Sequence, residues 1–203
     1  MISGTFAHFI DVIDILSRML NTNKTVLNNF LVMAKNDKLV ESDYVLTPEW
    51  CAKDIMEYFA PTGKMLDPCR GLNKVFHNQM PKDADWCEIQ EGNNFFEYTE
   101  KVDWIVGNPP YSIFHDWMEH SFAIADNIVY LLPTFKIFNA LGLCRMYGQN
   151  GWIKHIRFYD TGRKIEWSRS RPIVAVHFQK NYFGDTSWSY YDGGKKLFKT
   201  EPK

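Results

Sequence analysis

The sequence holds only four cysteines in 203 residues, Cys51, Cys69, Cys87 and Cys144, and none forms a Cys-x-x-Cys pair. Reduced thiols are therefore expected rather than a disulfide or zinc framework. The six histidines (His8, His77, His115, His120, His155 and His177) include no helical i,i+4 pair beside a Glu and no Cys/His cluster, so no metal is expected. No apolar run approaches the roughly 18 residues that a membrane span needs. The opening Met-Ile-Ser-Gly-Thr-Phe has no basic segment, and Asp11 and Asp14 follow it, so no signal peptide, no membrane partner and a cytoplasmic setting are expected. There is no internal repeat and no low-complexity tract. Neither sign of charge dominates: 23 basic and 24 acidic groups give a net charge of −1, which argues against a generic nucleic-acid coat.

What is present is apolar and aromatic: 45% of residues are hydrophobic and 16% aromatic, enough to offset ordering entropy and exclude disorder as the main state. A chain of this length buries roughly 70% of its unfolded surface without staples. The even charge total conceals an asymmetry. Residues 1–151 carry 12 basic and 19 acidic groups, whereas residues 152–182 carry Lys154, Arg157, Arg163, Lys164, Arg169, Arg171 and Lys180 against Asp160 and Glu166. A local basic stripe of this kind is an electrostatic footprint for a polyanion.

Along the chain, Phe6, Phe9, Ile10, Ile13, Leu16 and Leu20 mark an amphipathic helix over 5–20, and Val26, Leu27, Phe30 and Leu31 a weaker one over 25–34. These define an N-terminal helical extension, residues 1–40, which covers part of the core or binds a partner. A central domain follows over 41–182, and a tail over 183–203 whose aromatics suit one further β-segment. Thr47-Pro48-Glu49 reads as an N-cap with proline at the first helical position, starting a helix through about Phe59 that Pro61 and Gly63 end. Short apolar runs then alternate with helical stretches: strands at 64–67, 85–88, 103–106 and 127–132, a short helix near 74–77, and helices at 113–124 and 134–147. Segments 152–159 and 172–179 close the set as a β-pair. The alternation predicts an open α/β sheet, mostly parallel, with one antiparallel member.

Ligands of open α/β sheets sit beyond the carboxyl ends of the strands, and three predicted strand ends carry chemistry. The first is Asp67-Pro68-Cys69-Arg70-Gly71, a turn in which Gly71 lets the backbone approach a ligand. The second is Glu88, 21 residues after Asp67, where an acid commonly grips a ribose diol. The third is Asn108-Pro109-Pro110-Tyr111. Its prolines fix the backbone and remove two amide donors, leaving carbonyl acceptors beside the Asn108 carbonyl and the flat Tyr111 ring. Two acceptors and a stacking surface suit a planar group bearing NH2.

At these residues the chain resembles the S-adenosylmethionine-dependent amino methyltransferases, in particular the N6-adenine DNA methyltransferases. Asn108–Tyr111 is similar to their catalytic tetrad and Asp67–Gly71 to their cofactor-binding turn. Tyr44 with Thr47-Pro48 resembles the segment covering the methionine end, Glu88 stands at the ribose acid, and Asn94 with Phe95 stands where the cofactor adenine is met, although Asp is more usual at Asn94. Asn73 replaces a small residue common two positions after Gly71, and Asn is suited to a left-handed turn there. The resemblance, over roughly 42–180, implies a Rossmann-like class I methyltransferase: a seven-stranded, mostly parallel sheet with helices on both faces and the last strand inserted antiparallel. It implies S-adenosylmethionine as cofactor and catalysis by Asn108, Pro109, Pro110 and Tyr111. The basic and aromatic residues of the 159–171 loop, Arg163, Lys164, Trp167, Arg169 and Arg171, read with Tyr111 as the substrate-facing set. DNA is the favoured substrate, with RNA, protein glutamine and an inactive binding subunit as alternatives. A homo-oligomer or a specificity subunit is left open.

Overall fold

A computed structural model describes residues 45–161 and 172–192. The two expected N-terminal helices, Tyr44, and the loop residues Arg163, Lys164, Trp167, Arg169 and Arg171 lie outside the described residues. In chain order the strands are β1 (Met65–Asp67), β2 (Asp85–Trp86), β3 (Val102–Gly107), β4 (Ala125–Pro133), β5 (Gly151–Thr161), β6 (Pro172–Lys180) and β7 (Ser187–Tyr190), and the α-helices are α1 (Glu49–Phe59), α2 (Phe114–Ile124) and α3 (Leu141–Asn150). The strands form one sheet in the order β2-β1-β3-β4-β6-β5-β7. β6 runs antiparallel to both its neighbours, and every other pairing is parallel.

β4 is apolar almost throughout because both faces of the sheet are covered. Val129 and Leu131 pack with Cys51, Ala52 and Ile55 of α1 on one face. Tyr130 points the other way, where its hydroxyl receives a hydrogen bond from Trp117 Nε1 (3.0 Å) and pairs with Ser121 Oγ (2.7 Å) on α2. Tyr147 of α3 meets Phe178 of β6 on that same face, with ring centroids 4.9 Å apart. Helices thus cover both faces. Each fully buried Ile, Leu or Val contributes roughly 1.5–3 kcal/mol of burial energy, so this double coverage is what secures the strand ends.

α1 is bolted to β5 by a polar contact. The Arg157 guanidinium donates to both Asp54 oxygens (2.6 and 2.8 Å), lies 4.0 Å over the Tyr58 ring, and shares Asp54 with the Tyr159 hydroxyl (2.6 Å). Arg157 is therefore a buried structural cation and not part of the basic footprint read from the sequence.

Several local expectations are corrected. Thr47 does not cap α1: the Pro48 carbonyl accepts from the Cys51 and Ala52 amides, and no side chain caps the helix. Thr47 is engaged elsewhere, as described below. The expected helix at 134–147 divides into a 3₁₀ turn, Thr134–Lys136, and α3, because Ala140 is extended between them. The helix expected near 74–77 is a 3₁₀ turn at His77–Gln79. Lys74, rather than Asn73, adopts the left-handed conformation (φ 52°). The strand expected to end at Glu88 pairs only over Asp85–Trp86. The antiparallel strand is the sixth in the chain, and the seventh, β7, lies in the segment read as a tail and pairs parallel with β5 at the sheet edge. Among the described residues no helix is long and apolar enough to cross a membrane.

Candidate active site

The chain leaves β1 for β2 on one side and returns to β3 on the other, so the strand order reverses at β1. This is the switch point at which open α/β sheets open a crevice. The Asp67–Gly71 turn occupies it, with Glu88 on the β2 side and Asn108 on the β3 side.

The turns are packed against one another. A Cβ on Gly107 would lie 3.1 Å from Pro68 Cδ, so a glycine lets the end of β3 reach the β1 turn. The Cys69 thiol donates to the Asn108 main-chain carbonyl (3.1 Å). Burial pushes the Cys69 thiol well up, in keeping with its role as a donor. Cys87 and Cys51 are also driven upward by burial, Cys87 to about 12. All four cysteines are free thiols.

Asp67 is almost fully buried. Its Oδ1 accepts from the Cys69 amide (3.2 Å), and the His77 backbone amide also faces the carboxylate. Desolvation outweighs the backbone donors and raises the Asp67 pKa to about 7. Gly71 is left-handed (φ 61°), and a Cβ there would meet nothing within 4 Å, so the turn faces open space.

Glu88 braces this turn from the β2 side. Its Oε2 accepts from the Gly71 amide (2.8 Å) and its Oε1 from the Gln90 amide (3.1 Å). Arg70, between Cys69 and Gly71, lies 3.2 Å over the Trp86 ring and pairs with Glu91. Asn94 is buried, and its Oδ1 accepts from the Phe96 amide (3.1 Å). Phe95 is buried against Trp117 (4.3 Å between centroids), so it supports the Asn94 turn from beneath.

On the β3 side the Asn108 amide is held from three directions. Nδ2 donates to the Val45 carbonyl (3.3 Å) and to Thr47 Oγ1 (3.2 Å), and Oδ1 accepts from the Tyr111 hydroxyl (2.7 Å). The Tyr111 hydroxyl also lies 3.1 Å from the Leu131 carbonyl, and the Tyr111 carbonyl receives Lys136 Nζ (2.7 Å). Pro109 and Pro110 are buried and stiffen the link between Asn108 and Tyr111.

The structure thus brings together Thr47, Asp67, Pro68, Cys69, Gly71, Glu88, Asn108, Pro109, Pro110 and Tyr111, with Asn94 and Phe95 on the turn after Glu88. Neither Arg70 on Trp86 nor Lys136 on the Tyr111 carbonyl was legible in the sequence. A basic residue in a turn carries no pattern that names its partner. A second cluster, His115, Asp116 and Glu119 on α2, places three potential ligand atoms within 4.8 Å of one another.

No family model matches the sequence, and no curated protein is significantly similar to it. Structural similarity is clear. A protein from Listeria monocytogenes assigned to the class I S-adenosylmethionine-dependent methyltransferases superposes with a TM-score of 0.57 at 10% identity, over 77% of this chain and 69% of that one. A modification subunit assigned to a type I restriction enzyme of Vibrio vulnificus gives 0.50 at 14% identity, over 92% of this chain and 55% of that one. The M protein of the type I restriction enzyme EcoKI gives 0.50 at 14% identity, over 66% and 44%. The chain spans about half the length of these two modification subunits. With β6 inserted antiparallel between β4 and β5, and the loaded turns at the switch point, the chain has the fold of the class I methyltransferases.

Proposed function

We propose that this chain is an S-adenosylmethionine-dependent methyltransferase acting on the exocyclic N6 amino group of adenine in DNA. The observation that carries the reading is the Asn108 amide, held at the switch point beside an open glycine turn. The residues suit the cofactor. Gly71 faces open space, and each Glu88 oxygen uses one lone pair on a backbone amide and keeps another for a diol. Asp67, Pro68, Cys69, Gly71, Glu88 and Asn94 would hold the cofactor, with Phe95 packed behind Asn94. When bound, it supplies an electrophilic methyl group.

Asn108 Oδ1 and the Pro109 carbonyl accept the two hydrogens of the adenine amino group. Together they draw that nitrogen towards tetrahedral geometry and release its lone pair from the ring, which is positioning and electrostatic preorganisation. The Tyr111 ring stacks on the base. A base in a duplex must leave the stack to reach these groups, at a cost of about a few kcal/mol. DNA is placed ahead of RNA because two of the similar structures are restriction-modification subunits.

The test is methyl transfer from labelled S-adenosylmethionine to unmethylated duplex DNA, single-stranded DNA and RNA in parallel, with nucleosides identified by mass. N6-methyldeoxyadenosine is the expected product. Asn108→Ala should abolish transfer while leaving cofactor affinity unchanged. Transfer by Asn108→Ala at the wild-type rate sinks the mechanism, and product on RNA alone reassigns the substrate.

A further inference from the structure

An asparagine amide offers two donors and two acceptor lone pairs. In Asn108 both donors are committed, one to the Val45 carbonyl and one to Thr47 Oγ1, and one acceptor position is taken by the Tyr111 hydroxyl. The Val45 carbonyl cannot donate, so the group facing it must be the NH2, and the orientation of the amide follows from chemistry alone. Three of four hydrogen-bonding positions are filled, and the one left is a single lone pair on Oδ1. Thr47 is buried (7% exposed) and leaves α1 uncapped, so its hydroxyl is not needed to start the helix.

From this geometry we infer that Thr47 is a positioning residue for Asn108: its hydroxyl fixes the amide so that the remaining Oδ1 lone pair faces the incoming amine. The inference rests on the reading of Asn108 as the acceptor of that amine. It differs from a role for Thr47 in holding the cofactor, which would appear in cofactor affinity. Together with the Val45 carbonyl and the Tyr111 hydroxyl, the Thr47 hydroxyl holds the amide against rotating and presenting its NH2, a donor, to another donor. The amide is thereby fixed before substrate arrives, so ordering it adds nothing to the barrier.

The test uses the full chain. Thr47→Val keeps the side-chain shape and removes the hydrogen bond, and Thr47→Ser restores it. One readout needs no activity: with ¹⁵N-asparagine labelling, the Asn108 side-chain amide pair is identified by its loss in Asn108→Asp. Thr47→Val should move that pair and speed its exchange with solvent by about tenfold or more, and Thr47→Ser should bring it back. In the second readout, Thr47→Val lowers kcat by roughly 10- to 100-fold, the scale of a small misplacement at a reacting centre, with S-adenosylmethionine affinity within about twofold of wild type. An Asn108 pair unmoved in Thr47→Val overturns the inference, as does weaker cofactor binding with kcat unchanged. If Asn108→Ala itself keeps wild-type transfer, or wild type transfers to no polymer, the methyl-transfer reading falls, and the amide signal alone decides whether Thr47 sets Asn108.

Discussion

Asp67 and Asn108 end neighbouring strands, and burial treats them differently. Asn108 is neutral and can satisfy its amide inside the protein, whereas Asp67 must desolvate a charge. Its pKa of about 7, set first by that desolvation and only partly offset by backbone donors, means the folded chain holds a proton near neutrality that the unfolded chain releases near pH 4. At this carboxyl the folded state therefore binds more protons between about pH 4 and 7, so the Asp67 contribution to stability declines as pH rises through that window, at up to about 1.4 kcal/mol per pH unit. Relative to wild type, Asp67→Asn should therefore gain stability as pH rises, as read from the difference between the two urea midpoints at pH 5 to 8. A difference between variant and wild type that does not grow with pH overturns this assignment to Asp67. The residue types at this site were legible in the sequence because the turns follow strand ends at fixed spacing. Their hydrogen bonds were not. Thr47 lies 61 residues before Asn108, and a helix-start pattern gave its hydroxyl a local partner when the folded chain gives it a distant one.

At the scale of elements, the apolar runs located β1, β3, β4 and β6 because strands covered on both faces are largely hydrophobic, β5 was legible from its spaced apolar residues, and 113–124 was legible as α2 from its period. The 134–147 stretch was misread because its apolar spacing continues across Ala140, while Lys136 turns back to the Tyr111 carbonyl and separates the first turn from α3. β7 lacks an apolar run because it is an edge strand, with Trp188 and Tyr190 exposed and Ser187 and Ser189 facing His155. One side chain joins β3, β4, β6 and α1. His177 of β6 stacks on Trp104 (5.0 Å), meets Phe59 edge-on (5.7 Å), and its Nε2–H donates to Asn127 Oδ1 (3.0 Å), which is oriented by the Asn127 amide donating to the Asp103 carbonyl. Burial, with Lys154 and His155 nearby, lowers the His177 pKa to about 4. The unfolded histidine protonates near 6.5, so this contribution is complete above pH 6.5 and is lost as pH falls from there through 4. Asp67 acts in the opposite sense over the same window. Wild type should therefore be nearly flat between pH 4 and 6.5, Asp67→Asn should unmask the acid loss, and His177→Gln should steepen the loss of stability towards pH 7. The slopes, not the absolute midpoints, carry the test, since His177→Gln also removes ring contacts.

For the whole molecule, the net charge of −1 is a poor guide to where a polyanion of the proposed kind would bind. Of the seven basic groups in 152–182, the fold removes Arg157, which is buried on Asp54, and Lys180, which donates to the Phe122 carbonyl at the end of α2 (3.0 Å). The footprint that remains is Lys154 and the loop quartet Arg163, Lys164, Arg169 and Arg171. Each phosphate neutralised releases counterions and adds about 0.9 to the magnitude of the slope of log affinity against log salt on duplex DNA, or about 0.7 on a single strand. If all four loop cations meet phosphates, replacing them with Gln should lower the slope by roughly 3.6 on duplex or about 2.8 on single-stranded DNA. The loss should be similar for unrelated sequences, because phosphate contacts position without specifying. Arg157 is no control for this measurement, since removing it leaves Asp54 uncompensated and costs stability. Lys154→Gln is the better one and should lower the slope by at most one contact. Fluorescence anisotropy from low to moderate salt reads both variants. A quartet variant with the wild-type slope moves the footprint off this loop, to cations elsewhere on the chain or on a partner.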